Sequence, residues 1–438
     1  MKTSTAVRRQ TKRSVGAAPP TLLFVDSTGA ILDAPGTTAA ARTGRMIRPV
    51  DAGELIPLPR RSELYLLPER DPMGFDAAGG DARVIGEGRA VAAFLPPGYV
   101  ASALAAYERQ SQAAPLPLFA YAAACWYRGR FHVAGMRVER DVKHDPSQFS
   151  ERALAAHVRR LTAKHPTNRL VRHLAENCAI KYGCANARNL FYGRWECPIP
   201  VASVCNAACI GCISAQPDAP ISSPQDRLTF QPTVAEAIEF AVPHLKSAAR
   251  AMVSFGQGCE GEPLVQGELI AEMIRAIRRR TDRGTIHLNT NGSRPDVVAQ
   301  LCDAGLDSIR VSLNSARPAV YTRYYRPRNY SFEQVVESLR LARARGIFTS
   351  INYLSFPGVT DSAAEIDALD GLIRWPGVDM IQWRNLNIDP DVYADAIALD
   401  ADEPAIGMRR LIDRLRRLFP SVRHGYVNPP RETWGRRD

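Results

Sequence analysis

The chain has 438 residues with nine cysteines, and 56 Lys and Arg against 45 Asp and Glu leave a formal charge of +11. That length exceeds the roughly 250–300 residues at which one core stops growing, so two domains are expected. No stretch approaches the ~20 consecutive apolar residues of a bilayer span, which speaks against a membrane protein, and thiols in a long cytoplasmic chain serve metal binding or catalysis rather than a disulfide framework.

The opening MKTSTAVRRQTKRS is basic and free of acidic residues, and the apolar run TLLFV that follows is too short for a signal-peptide core. Residues 1–20 therefore read as a disordered basic arm, with a transit peptide as the alternative. Over 21–145, short apolar runs such as TLLFVD, ELYLLP and RFHVAGMRV are separated by Gly, Pro and Asp. That punctuation predicts a small β-rich N-terminal domain, with one helix around 99–111 and a loop at DPMGFDAAGGD, 71–81. Residues 146–194 form a helical linker, its periodicity broken at Pro166 into two helices on which His165 and His173 read as surface or packing residues.

The texture then changes. PIPVASV (198–204), AMVSFG (251–256), TIHLNTN (285–291), SIRVSLN (308–314), FTSINYLS (348–355) and DMIQWRN (379–385) are candidate strands. Helical patterns at about 233–248, 264–281, 295–304, 331–345 and 362–374 lie between and after them. Six such units over 195–390 predict an α/β fold, a partial (β/α)6 TIM-like barrel whose chemistry sits at the carboxyl ends of its strands. Residues 391–438 add a helix at 404–419 and a tail. The basic ends, including RRLIDRLRR at 409–417, suit an anionic partner such as nucleic acid, although basic helices are commonly solvated faces.

The first strand runs into Cys205-Asn-Ala-Ala-Cys209-Ile-Gly-Cys212, a C-x₃-C-x₂-C loop. Three thiolates so close together suit an iron–sulfur centre, and on a [4Fe–4S] cube they leave one iron free to take the amino and carboxylate groups of a small molecule. A zinc knuckle or a cluster closed by a fourth cysteine is the alternative, although no second Cys/His pair stands at matching distance.

This loop, placed after the first strand of a β/α array, resembles the radical S-adenosylmethionine (SAM) superfamily over roughly 195–390. The resemblance implies a [4Fe–4S] cluster on Cys205, Cys209 and Cys212, and S-adenosyl-L-methionine as second cofactor. Gly261-Glu262-Pro263 resembles the turn that meets the methionine ammonium, and its composition also suits a tight turn ahead of a helix. Asn291, Ser312 and Asn314 at strand ends are candidates for the ribose and the methionine carboxylate. Arg384, with Asn385, either holds the cofactor or an anionic substrate or fastens the end of the barrel. Arg310 faces the opposite way to Ser312 or lies deeper in the barrel. Two departures stand out: Gly211 replaces an aromatic residue before the third cysteine, and Glu260 replaces the first glycine of the ammonium turn.

Cys178, Cys184, Cys197 and Cys259 are candidates for a second cluster, Cys259 for an active-site thiol, and all four for small buried hydrophobes. The absence of cysteine beyond Cys302 speaks against a peptide-maturation role. The resemblance implies an enzyme that takes an electron from a reduced flavodoxin- or ferredoxin-like donor, cleaves SAM to a 5′-deoxyadenosyl radical and abstracts hydrogen from a substrate that the sequence does not name. The competing expectations are a non-catalytic iron–sulfur or zinc protein that recruits a partner, and an RNA-modifying enzyme.

Overall fold

The computed structural model describes residues 18–76, 80–85, 88–217, 221–400 and 403–435. The basic cluster from Arg8 to Arg13 lies outside them.

Seven parallel strands form the second half of the chain, in sequence order: Glu196–Pro198, Met252–Phe255, Thr285–Thr290, Ser308–Leu313, Phe348–Ser355, Met380–Asn385 and Arg423–Gly425. The five middle strands are almost wholly buried, since helices cover one face and the barrel interior closes the other. The covering helices show the matching stripe. In Gly267–Arg278, Ile270, Met273, Ile274 and Ile277 are buried, while Glu268, Glu272 and Arg275 face water. Local signals fix the ends: Thr233 and Glu236 form a capping box on Val234–Ser247, and Gly305 closes Pro295–Ala304 in the left-handed region at φ 111°.

Five of the six expected strands stand where expected and a seventh extends the array, but the first is displaced: expected over 198–204, it is Glu196–Pro198, and 199–204 run on as irregular chain. Arg423–Gly425 has no apolar run to reveal it and pairs only with Met380–Gln382. Two short helices, Pro318–Tyr325 and Pro390–Ala396, each opening on a proline, occupy connections beyond the expected set. The basic stretch at 409–417 lies on the helix Met408–Leu418, whose Met408, Leu411, Ile412 and Leu415 are buried and whose Arg414 pairs with Asp370 at 2.7 Å.

The N-terminal half is a 13-stranded antiparallel sheet system. Two local expectations are corrected there. No helix spans 99–111; the segment is three short strands, Tyr99–Ala101, Leu104–Ala105 and Tyr107–Arg109. Its alanines pack between strands, Ala103 at 0% exposure, and Ala105 N donates to Tyr121 O at 2.8 Å, so pairing overrides alanine's helical preference. Nor is 71–76 a loop, because Arg70–Asp76 is a strand. A Cβ on Gly74 would lie 2.5 Å from Thr37 Cγ2, so this glycine serves close strand approach, not a turn. The linker holds three helical segments rather than two: Glu151–Lys164, Arg169–His173 running on into the wider turns of Leu174–Lys181, and Ala185–Phe191.

The two halves are joined by ionic and backbone contacts. Arg70 Nη2 meets Asp389 Oδ2 at 3.0 Å with both side chains at most 1% exposed, and Asp389 also accepts Leu116 N at 2.8 Å. Arg42 pairs with Asp391, and Arg45 with Asp395 at 2.7 Å. Asn385, at the end of the sixth strand, accepts Ala101 N at 2.8 Å and donates to Tyr99 O at 3.1 Å. Gly44 N donates to Pro357 O at 2.8 Å, and a Cβ on Gly358 would lie 2.0 Å from Gly44 N. Replacing Arg70 with Met leaves the Asp389 carboxylate buried without its cation. Arg70→Met is expected to lower stability by about 3–5 kcal/mol, read from the urea unfolding midpoint of the full chain.

Candidate active site at the carboxyl ends of the strands

The cysteine loop is held from two sides. On one, residues 199–204 continue the first strand along the second: Ile199 N donates to Ser254 O at 2.8 Å, Gly261 N to Ala202 O at 2.7 Å and Glu262 N to Val204 O at 3.0 Å. On the other, the chain after helix Pro318–Tyr325 runs beside the loop. Ala208 N donates to Tyr325 O and Ile210 N to Tyr324 O, both at 3.1 Å, and Arg328 N donates to Asn206 O at 2.8 Å. Tyr324 also fills the space left by the missing aromatic residue, since a Cβ on Gly211 would lie 3.0 Å from its hydroxyl oxygen.

Burial raises all three thiols, Cys205 to about 11, and each is raised further or relieved by its neighbours. Cys205 and Cys212 both raise Cys209, whereas the Arg227 guanidinium lowers Cys205 and Cys212. Among the described residues, these three sulfurs are not a group whose atoms all fall within 4.8 Å of one another. Neighbouring thiols spread this way fit a polynuclear cluster, where each thiolate takes its own iron, better than a single ion. The donor set therefore fits a [4Fe–4S] cube.

The turn after the second strand is built around two buried carboxyls. Glu260 Oε2 accepts Val201 N at 2.6 Å and Ala202 N at 2.8 Å, and its Oε1 accepts Gln257 N at 2.7 Å. Burial pushes Glu260 up to about 8 against these three donors. Glu262 Oε1 accepts Leu264 N at 3.0 Å and the Thr290 hydroxyl, and its Oε2 accepts Asn291 N at 2.8 Å; burial pushes it up to about 7. Gly261 is obligatory because a Cβ there would fall 1.9 Å from Val204 O. Glu260, the departure from a glycine pair, is thus the clamp that holds residues 201–202 to the turn.

The structure joins Asn291 to both parts: its Nδ2 donates to Asn206 Oδ1 at 2.9 Å, and its backbone N–H reaches Glu262. Cys205, Cys209, Cys212, Gly261, Glu262, Pro263 and Asn291 thereby form one neighbourhood. Ser312 stands apart, accepting Asn352 Nδ2 at 3.2 Å, and Asn314 turns to the Tyr393 hydroxyl at 3.1 Å. Arg384 donates to Tyr426 O at 2.9 Å and lies over the Tyr426 ring, 4.0 Å from its centroid. Arg310 lies deeper on the same face of its strand as Ser312 and donates to Gln382 Oε1 at 2.9 Å. Cys259 has its sulfur 3.3 Å from that of Cys178, beside His173.

Several contributors carried no sequence signal. Asn206 sits inside the cysteine loop without a motif position, and Arg227 reaches the thiols from a loop of no periodicity. Asn314 Oδ1, Asn352 Oδ1 and Tyr325 OH are buried without a partner, unspent groups of the kind a bound ligand satisfies. In Glu260→Gln, whichever way the amide turns, its NH₂ faces a backbone N–H. The variant should be destabilised by about 1–3 kcal/mol in urea unfolding, and an unchanged midpoint would show that Glu260 is not a clamp.

Comparison with known proteins agrees with this geometry. Residues 199–369 match the family model of the Radical SAM superfamily. The FeMo cofactor biosynthesis protein NifB of Azotobacter vinelandii is 25% identical over 211 residues, 43% of this chain and 40% of that protein. NifB of Klebsiella pneumoniae is 26% identical over 181 residues, 37% of this chain and 38% of that protein. The chain thus spans about two fifths of the length of these curated relatives. Among solved structures, methylornithine synthase aligns with a TM-score of 0.38 at 13% identity, covering 64% of this chain and 74% of that one. Residues 199–369 thus carry a radical SAM domain, the domain of a superfamily whose members use a [4Fe–4S] cluster and S-adenosylmethionine.

Proposed function

We propose that the chain is a radical SAM enzyme whose Cys205, Cys209 and Cys212 hold the [4Fe–4S] cluster. The observation that carries this is the three-thiol loop at the carboxyl end of the first strand, clamped between the 257–263 turn and the Tyr324–Arg328 segment. Cluster and SAM together supply a 5′-deoxyadenosyl radical for hydrogen abstraction. The chain's own part is to bind, orient and exclude water.

In this proposal the backbone around Gly261 and Pro263 accepts the methionine ammonium, with Glu262 fixing that turn to the third strand. Asn291 and Ser312 offer neutral donors and acceptors to the ribose, and Asn314 brings a buried carbonyl oxygen without a partner. Tyr321, Tyr324 and Tyr325 wall the loop against solvent, all three being buried. The N-terminal domain, residues 21–145, is proposed to close the barrel mouth. Asn385, at the carboxyl end of its strand, binding Tyr99 and Ala101 supports that placement. A reduced flavodoxin- or ferredoxin-like protein is the proposed electron donor.

The barrel interior favours an anionic substrate. Among the described residues Arg310 and Arg384 form no ion pair, and each has a buried Nε without partner. Burial together with the charge of Arg384 lowers Arg310 to about 9, against Glu196 and the Tyr426 and Tyr325 hydroxyls, which raise it. An incoming carboxylate or phosphate would relieve this unpaired charge. FeMo cofactor assembly, the activity for which the NifB relatives are named, is not carried over, because the likeness covers two fifths of their length.

No described helix is long and apolar enough to cross a membrane. The test is anaerobic purification and reconstitution of the full chain. With dithionite and SAM it is expected to release 5′-deoxyadenosine, and the triple variant Cys205→Ala/Cys209→Ala/Cys212→Ala to lose both iron and product. A loaded cluster that never cleaves SAM would instead establish a non-catalytic iron–sulfur protein. Asn291→Ala should retain iron while raising the SAM concentration for half-maximal cleavage roughly tenfold, the worth of one good hydrogen bond.

A further inference from the structure

A second group of soft ligands lies away from the loop. His173 ends the helix Arg169–His173, Cys178 lies in the wide turns of Leu174–Lys181, and Cys259 stands between the second barrel strand and Glu260. Among the described residues this is the one set of Cys, His and acidic side chains whose three ligand atoms all fall within 4.8 Å of one another. All three are buried, at 8%, 3% and 3% exposure, and the two sulfurs are 3.3 Å apart.

Two observations point to an ion rather than to packing. His173 Nδ1 is engaged by Asn177 Nδ2 at 3.0 Å, and its Nε2 is buried beside the Cys259 thiol without a hydrogen bond of good geometry. Ligation through Nε2 puts the ring proton on Nδ1, and an Asn177 amide turned to present Oδ1 there accepts it, the pairing of a metal-ligating histidine with its orienting neighbour. The backbone here is also unusual. Tyr182 N donates to Asn177 O at 2.9 Å, a five-residue step, and such wide turns are enriched at functional sites.

We propose that His173, Cys178 and Cys259 bind one zinc ion, with water as the fourth ligand. Zinc takes thiolate at about 2.3 Å and imidazole at about 2.0 Å, which places tetrahedral ligand atoms roughly 3.5–3.8 Å apart, a small adjustment from those observed. Two thiolates and a neutral imidazole cancel a double positive charge, so the loaded site is neutral and suits burial. The close sulfurs suit one ion and not a cluster that spreads its thiolates over separate irons. The ion would tie the linker helices to the segment that begins at Cys259 and carries Glu260 and Glu262.

Metal counting on the anaerobically purified full chain tests this separately from the cleavage reaction. Wild type from zinc-supplemented cells should carry about one zinc per chain, with two sulfurs and one nitrogen in its zinc-edge X-ray absorption. Cys178→Ser and Cys259→Ser should each lower zinc roughly tenfold or more without lowering iron, while Cys184→Ser should keep both. The Cys205/Cys209/Cys212 triple alanine variant should lose iron and keep zinc. Should a serine variant not fold, cobalt added to metal-depleted wild type should give thiolate-to-cobalt absorption. Wild type without zinc, zinc unchanged in both folded serine variants, absorption data lacking sulfur ligands, or a Cys178–Cys259 disulfide in anaerobically alkylated protein would each overturn the assignment.

Discussion

The carboxyl group of Glu260 governs the rest of the site. It gathers the backbone hydrogens of Val201, Ala202 and Gln257, and thereby sets where residues 199–204 end and the cysteine loop begins. A backbone at that position without an acceptor would leave donors buried and unpaired, so the carboxyl group is what allows the strand to continue as irregular chain. Glu262 repeats the device one strand further on, binding the turn to Asn291. Two acids that look like candidates for chemistry thus serve to place other groups.

The barrel was legible because one side of each strand packs against helices, so Ile309, Val311 and Leu313 in SIRVSL and Ile351 and Tyr353 in FTSINYLS recur at every second position with polar residues between them. The position of the cysteine loop was legible from its C-x₃-C-x₂-C spacing. What escaped had a physical reason in each case. The strand Arg423–Gly425 borrows its pairing from a neighbour, and Ala101 to Ala105 form sheet because small side chains are what the space between layers accepts. His173 and Cys259 are 86 positions apart, and only the fold brings them together.

Charge is distributed differently in the two regions. At the junction of the halves three arginines find aspartates, Arg42 with Asp391, Arg45 with Asp395 and Arg70 with Asp389. Inside the barrel, Arg310 and Arg384 keep guanidinium nitrogens to spare. Paired arginines at the seam and spare guanidinium nitrogens in the barrel place positive potential toward the lumen.

The contact between Gly44 and Gly358 has a consequence for how such a chain can vary. Both residues have positive φ, at 59° and 92°, and at Gly358 even a methyl group would intrude on the opposing backbone. Gly358 cannot accept a larger residue while the other half stays where it is, whereas at Gly44 a Cβ would find ordinary contact, 3.4 Å from Leu399 Cδ2, and the left-handed φ is what favours glycine. Sequence drift in the hairpin at 43–46 and in the loop after Ser355 is therefore not independent, although more than three hundred positions separate them. Related chains that keep this docking should retain Gly358, and a chain that loses it should have re-seated its N-terminal sheet.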